Sequence, residues 1–503
     1  MIQVEDRINT FKGKNIVVVG LARSGTGAAN LLCELGAKVT ITDTKPRSML
    51  ETNIKRLSSS VKVITEGNPS EAFDAADMIV ISPGVPLDIS PLEHARIKGI
   101  PVIGELELAY QVVESAVSSQ QSEVGANGRS PLQIKIPSFI GITGTNGKST
   151  TTTLVDLMLR TAGLNALLGG NIGTALTEEI LKFVGAGFKP APTFIDYIVA
   201  EISSFQLETI KEFRPEIAVI LNVTPDHLDR YHSMEEYIDA KARIFENQRA
   251  GDSLILNADD PLLLQMRNEK FEGRSEKPDI FYFSRHKEVK GAYFEEGEIH
   301  FNLPESIVGA IHELPLRINV NEILIQGAHN VENAMAASLV ALIAGCPLDA
   351  VRNVLSQFPG LEHRLEFVSE IRGVKFINDS KGTNVGAVAK SLEGLSNVIL
   401  IMGGLDKGSD FSELKNLIRQ KVKTLVLIGM AKEKIAKALG GETEAHNADS
   451  MSSAVELSFS KASSGDIVLL SPGCASFDMF QDFEDRGRKF KEAVFQLKMN
   501  NEK

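Results

Sequence analysis

The stretch that most constrains this chain is residues 139–152, FIGITGTNGKSTTT. An apolar run, 139–142, leads into a glycine loop, and the loop leads into a helix opening with Lys148, Ser149 and Thr150. Strand, glycine turn and helix in that order make a phosphate cradle. Gly144 and Gly147, which bracket Thr145 and Asn146, let backbone N–H groups turn inward, and the helix start adds partial positive charge. Lys148 has the reach for the β- and γ-phosphates, and the Ser149 hydroxyl suits Mg²⁺. The longer form of the pattern wants glycine at position 142, where this chain has Ile142, so the match is to a compact GTNGKST variant. Any strand–turn–helix unit can mimic part of this, but the Gly-Lys-Ser order favours a bound nucleoside triphosphate, ATP before GTP.

A chain of 503 residues exceeds what one core supports, so several domains are expected. A net charge of −12 argues against nucleic acid or an anionic membrane as the main partner. Cys33, Cys346 and Cys474 are far apart, with no metal-ligand spacing, which suits a reducing compartment. The opening residues lack the apolar run of a leader, and no stretch approaches a membrane span. A cytoplasmic monomer is the expectation.

The order of the elements predicts three α/β domains. Residues 14–20 read as a buried strand, 26–35 as a helix and 38–42 as a second strand ending at Asp43. The fingerprint Gly20-x-Ala22-x-x-Gly25 has Ala where close pyrophosphate approach wants Gly, so a different nucleotide, read by Asp43, is at least as good a fit as a dinucleotide. A third strand, 78–81, ends in Ser82-Pro83-Gly84. The expected domains are a Rossmann-like substrate domain over 1–117, a flexible linker over 118–137, and a P-loop domain with a mostly parallel sheet over 138–360. A doubly wound domain follows over 361–503. Residues 105–117 should form a helix, and the polar run 118–131 and the GAGFKPAP stretch at 185–192 should be surface insertions. The region 281–318 suggests short antiparallel strands.

Polar residues sit where apolar strands end. Glu201 closes IVAE, and a carboxylate there needs a basic partner or a cation. His227 lies in NVTPDHLD at the end of the next strand. Beside a P-loop, Mg²⁺ held by Ser149, Glu201 and His227 is the sharper reading; a satisfied histidine and an ion pair are the plainer one. Tyr237, Lys241 and Phe245 are spaced i, i+4, i+8 on one expected helix, which sets Lys241 on an aromatic stripe. It is either a snorkelling lysine or one aimed into the site. In the last domain INDSKGTN carries Asp379, Ser380, Lys381 and Thr383, Asp406-Lys407 ends another strand, and SPGCASFD carries Ser476. Each loop alone could be a helix cap, but three at one sheet edge suggest a second ligand site.

Taken together, GTNGKST, GGNIG, EISSFQLE, NVTPDHLDRY, GAHNVENA, His363-Arg364, NDSKGTN and SPGCASFD resemble the Mur ligase family, in order and over nearly the whole chain. The likeness is to its D-glutamate-adding branch. It implies that ATP phosphorylates the carboxylate of UDP-N-acetylmuramoyl-L-alanine and that the D-glutamate amine attacks the acyl phosphate. Lys148, Lys241 and His227 would be catalytic, with two Mg²⁺ ions on Ser149, Glu201, His227 and a carbamylated Lys241. Asn333, Arg364 and Asp379 would hold ATP beside the P-loop. Arg23, Ser24, Asp43, Thr44, Ser82 and Gly84 would hold the UDP moiety, with Asn171 near the muramoyl-alanyl end. Lys381, Thr383, Lys407, Ser476 and Phe483 would hold D-glutamate. The L-alanine-adding branch and folylpolyglutamate synthetases share this chemistry. An NAD-dependent oxidoreductase and a non-enzymatic nucleotide sensor are alternatives of other classes.

Overall fold

The computed structural model describes residues 10–126, 137–171, 173–185, 195–225, 230–311, 316–325, 327–406 and 408–501. These form three α/β domains, each on its own sheet. The first sheet holds β1 (Asn15–Val19), β2 (Lys38–Thr42), β3 (Lys62–Ile64), β4 (Met78–Ile81) and β5 (Val102–Gly104). Their order is β3-β2-β1-β4-β5, all parallel. Helices on both faces bury such strands completely, and every residue of the MIVI run in β4 is buried.

The second sheet holds β6 (Ser138–Thr143), β7 (Ala166–Gly170), β8 (Tyr197–Glu201), β9 (Ile217–Ile220), β10 (Ser253–Asn257), β11 (Asp279–Ser284), β12 (Gly291–Glu295), β13 (Glu298–Asn302) and β14 (Arg317–Asn319). It runs β14-β13-β12-β11-β10-β9-β6-β8-β7. The antiparallel region expected over 281–318 is narrower than its sequence suggested. β11 and β12 continue the parallel ladder; β13 alone reverses direction, and β14 pairs antiparallel to it.

Residues 359–503 form a compact unit of their own, apart from the unit of residues 1–358. Its sheet holds β15 (Glu366–Ile371), β16 (Val374–Asn378), β17 (Val398–Gly403), β18 (Val422–Ile428), β19 (Glu444–Asn447) and β20 (Ile467–Leu470). The order is β15-β16-β20-β17-β18-β19, with β15 the antiparallel edge.

The first two domains share one core. Tyr110, on the helix Glu105–Ala126, packs edge-on against Phe139 and Phe213 at ring-centroid distances of 5.3 and 5.6 Å. The same helix carries two buried carboxylates. Glu107 accepts the backbone N–H groups of Lys211, Glu212 and Phe213, and Glu105 accepts both the N–H and the hydroxyl of Thr177. Each carboxylate thus satisfies buried donors of the neighbouring domain.

That helix corrects the expected linker. It does not close at residue 117 but runs to Ala126, because Ser, Gln and Glu neither break a helix nor offer a glycine before Gly125. Residues 127–136 and 186–194, the remainder of the two expected insertions, lie outside the described residues. Among the described residues no helix is long and apolar enough to cross a membrane.

Candidate active site

β6 ends at Thr143, and the helix Lys148–Thr161 begins four residues after Gly144. Gly147, the residue before the helix, has φ +84°, and a Cβ there would lie 2.2 Å from Asn333 Oδ1. Only glycine fits, because the left-handed turn and the close approach of Asn333 coincide. The loop is braced from the end of β9. Asn146 N–H donates to Asn222 Oδ1 at 2.8 Å, and Asn222 Nδ2 returns a bond to Asn146 O at 3.1 Å. Thr145 N–H donates to Asn222 O at 3.0 Å, and Thr224 N–H donates to Thr145 Oγ1, also at 3.0 Å. Lys148 Nζ donates to the carbonyls of Gly144 and Thr145 at 2.8 and 2.9 Å. Ser149 and Thr150, in the first turn of the helix, are buried.

Lys241 is brought to this loop. It is 2% exposed, its Nζ donates to Gly144 O at 3.2 Å, and it lies 4.4 Å from the centre of the Tyr237 ring. That burial rules out a snorkelling surface lysine. The expected single helix is shorter than the stripe: it runs Met234–Ala242, and Phe245 closes a 3₁₀ turn, Arg243–Phe245.

β8 pairs with β6 so that Glu201 stands beside Ile142, directly before the loop. Glu201 is 2% exposed. Its Oε1 accepts Asn171 Nδ2 at 2.9 Å, whereas Oε2 is buried with no hydrogen-bond partner. A buried carboxylate oxygen without a donor suits a cation. Among the described residues no three His, Cys, Asp or Glu side chains cluster as a metal site. Glu201 and Ser149 therefore fit a cation that phosphate oxygens also ligate. His227, expected as a further ligand, lies outside the described residues.

In the first domain the expected UDP residues gather at the carboxyl ends of β1, β2 and β4. Ser82 Oγ donates to Gly20 O at 2.9 Å, joining two of those ends. Asp43 accepts Leu21 N–H at 2.8 Å and Lys45 N–H at 2.9 Å, one on each oxygen, so the carboxylate organises both loops. Thr44 and Gly84 are exposed, and Ser24 is half-buried in the first turn of the helix Arg23–Glu34. Arg23 points to the neighbouring domain, donating to the carbonyls of Gly173 and Asn171.

In the 359–503 unit, Asp379 is buried at the end of β16. Its Oδ2 accepts the hydroxyls of Ser391 and Ser471, both at 2.7 Å. Burial raises its pKa against these bonds and the nearby Arg364 charge. Lys381 Nζ lies 5.5 Å from the centre of the Phe483 ring, and Ser476 is buried. Thr383 N–H donates to Lys381 O at 2.9 Å. Lys407 lies outside the described residues.

Two features were missed from sequence. Asn222 as the P-loop brace was within reach, since it opens the NVTPDHLD run at a strand end. Arg486 had no signal, because FEDRG reads as a solvated helix start. It is fully buried, donating to Ser380 Oγ, Ser380 O and Cys474 O, and it ties the 380 and 474 loops together. Burial lowers its pKa to about 10. A cavity of about 710 Å³ near Tyr110, Arg214, Glu216 and Arg274 lies at the opposite, amino ends of the central strands. It has no phosphate cradle, and Arg214 is already paired with Asp252 at 2.7 Å.

Residues 14–104 match the Mur ligase MurD-like N-terminal domain, 142–341 the Mur ligase middle domain, and 363–474 the Mur ligase glutamate ligase domain. The chain is 44% identical over 486 residues to a UDP-N-acetylmuramoylalanine–D-glutamate ligase of Koribacter versatilis, covering 96% of this chain and 97% of that one. It is 42% identical over 488 residues to the enzyme of the same name from Geotalea daltonii, covering 96% and 98%. In fold it is similar to the UDP-N-acetylmuramate-alanine ligase of Thermotoga maritima, with a TM-score of 0.54 at 17% identity, covering 96% and 100%.

Proposed function

The chain belongs to the Mur ligase family, and from that premise we propose how its own residues join D-glutamate to UDP-N-acetylmuramoyl-L-alanine at the expense of ATP. ATP and Mg²⁺ are the family's requirements. Bound Mg²⁺ neutralises phosphate charge and aligns the γ-phosphoryl group. The observation that carries the nucleotide half is the orphaned Glu201 Oε2, placed by β8–β6 pairing beside a P-loop that presents Lys148 and Ser149.

Transfer of the γ-phosphoryl group needs positioning and charge stabilisation rather than covalent help from the protein. Gly144, Thr145, Asn146 and Gly147 form the loop around the phosphates. Asn222 takes the Thr145 and Asn146 N–H groups, which leaves Gly147 and the first helical turn to face the phosphates, and Lys148 stabilises the charge on the transferring group. Thr150, Asn333, Arg364 and Asp379 are assigned to the rest of ATP. Ser149, Glu201 and His227 are the cation ligands. Arg23, Ser24, Asp43, Thr44, Ser82, Gly84 and Asn171 are assigned to the UDP substrate, and Lys381, Thr383, Lys407, Ser476 and Phe483 to D-glutamate, whose two carboxylates require cations and hydroxyls. The acceptor carboxylate attacks the γ-phosphorus and ADP leaves. The D-glutamate amine then attacks the acyl carbon, loses a proton, and phosphate departs with one former carboxylate oxygen.

Lys241 is assigned a carbamate. Its free amine adds CO₂ and releases a proton, and the resulting anion beside Gly144 suits a second Mg²⁺ where an ammonium would repel it.

Phosphate release is the test, measured with each amino acid in turn. It should require both UDP-N-acetylmuramoyl-L-alanine and D-glutamate. Release with L-alanine on unsubstituted UDP-N-acetylmuramate, and none with D-glutamate, would overturn the substrate assignment.

A further inference from the structure

We propose that Arg23, on the first domain, is a positioning residue for Glu201 on the second, acting through Asn171. This rests on the reading of Glu201 as a cation ligand.

The helix Arg23–Glu34 begins at the mouth of the first sheet, and the Arg23 side chain leaves that mouth for the loop after β7. It donates to Gly173 O and, at 3.4 Å, to Asn171 O. Asn171 in turn holds Glu201 twice. Its backbone N–H donates to Glu201 O at 2.9 Å, and its Nδ2 donates to Glu201 Oε1 at 2.9 Å. The second bond fixes the plane of the carboxylate and leaves Oε2 as the one oxygen without a donor.

This loop has little slack against β8. Gly170 has φ +104°, and a Cβ there would stand 2.4 Å from Glu201 O. A loop pressed so closely on the strand end transmits any shift of Asn171 to Glu201. The guanidinium suits the task, since its planar fork reaches two carbonyls at once, which a lysine ammonium does less well. Donors that orient a ligand rather than touch the metal set its affinity in other metal sites. The first turn that carries Arg23 also carries Ser24, at the UDP loop, so one short segment faces both the acceptor and the cation ligand.

The full-length chain with a non-hydrolysable ATP analogue and no acceptor provides the test, with Mn²⁺ binding followed by electron paramagnetic resonance. Arg23→Gln should weaken Mn²⁺ binding on the order of tenfold. Arg23→Lys should recover part of the loss; with no acceptor present, the assignment of Arg23 to the UDP substrate does not enter the measurement. Glu201→Gln should weaken Mn²⁺ at least as much. Wild-type Mn²⁺ affinity in Arg23→Gln would overturn the proposal and leave Arg23 with its acceptor role alone. Wild-type affinity in Glu201→Gln would instead overturn the cation assignment on which it rests. Should Arg23→Gln fail to fold, Arg23→Lys alone decides, since its single ammonium cannot span both carbonyls and must still weaken Mn²⁺.

Discussion

At the scale of single residues, two lysines converge on one carbonyl, Gly144 O, by different routes: Lys148 from the next turn of chain and Lys241 from 97 residues away. Lys148→Ala should lower turnover by a factor on the order of 10³ with the fold intact, because it removes charge stabilisation of the transferring group rather than core packing. Phosphate release beside a thermal melt checks this, and near-normal turnover in a folded variant would refute the assignment. Lys241→Ala should be nearly inactive and partly restored by acetate, which returns a carboxylate to the vacated space. Lys241→Arg should be equally inactive, since a guanidinium takes up no CO₂; full activity in that variant would eliminate the carbamate. The two lysines were unequally legible. Lys148 announces itself through Gly-Lys-Ser, whereas Lys241 shows only as a charge on an aromatic stripe, and its burial decides the matter. Arg486 left no trace because its partners are a hydroxyl and backbone carbonyls, and sequence does not display which carbonyls a fold turns toward one arginine.

At the scale of elements, the strands that carry the site were legible because a parallel sheet covered on both faces demands unbroken apolar runs. β2, β4, β10 and β16 fall where their sequences place them. Four edge strands, β3, β7, β15 and β19, were not. β3 has three residues, β7 (ALLGG) ends in two glycines, β15 alternates weakly, and β19 (EAHN) is largely exposed and polar, so periodicity does not separate them from loops. The P-loop turn is the element with least tolerance. Gly147→Ala should impose about 1–2 kcal/mol of left-handed strain and push Asn333 aside. Affinity for an ATP analogue should fall at least roughly tenfold. Isothermal titration reads this directly, and unchanged affinity would mean that the loop relaxes without cost.

At the scale of the whole molecule, the first two domains are joined by buried carboxylates as well as by a shared core. Glu107 is fully buried and satisfies three backbone N–H groups of the second domain. Glu107→Ala should therefore lower the unfolding free energy of the 1–358 unit by on the order of 2 kcal/mol, since the buried Phe213 N–H and the partly buried N–H groups of Lys211 and Glu212 lose their acceptor. An unchanged urea midpoint would contradict that account. None of this coupling was visible in sequence: the residues that meet Glu107 lie about a hundred positions away, and ELELAY reads as an ordinary amphipathic helix.

The chemistry makes a claim of its own, that the acceptor carboxylate, rather than water, receives the γ-phosphoryl group. UDP-N-acetylmuramoyl-L-alanine labelled with ¹⁸O in its terminal carboxylate, incubated with ATP, Mg²⁺ and D-glutamate, tests that claim most directly. Mass spectrometry of the released phosphate should find one ¹⁸O per phosphate, carried over through the acyl phosphate. Amide product formed together with unlabelled phosphate would contradict the mechanism.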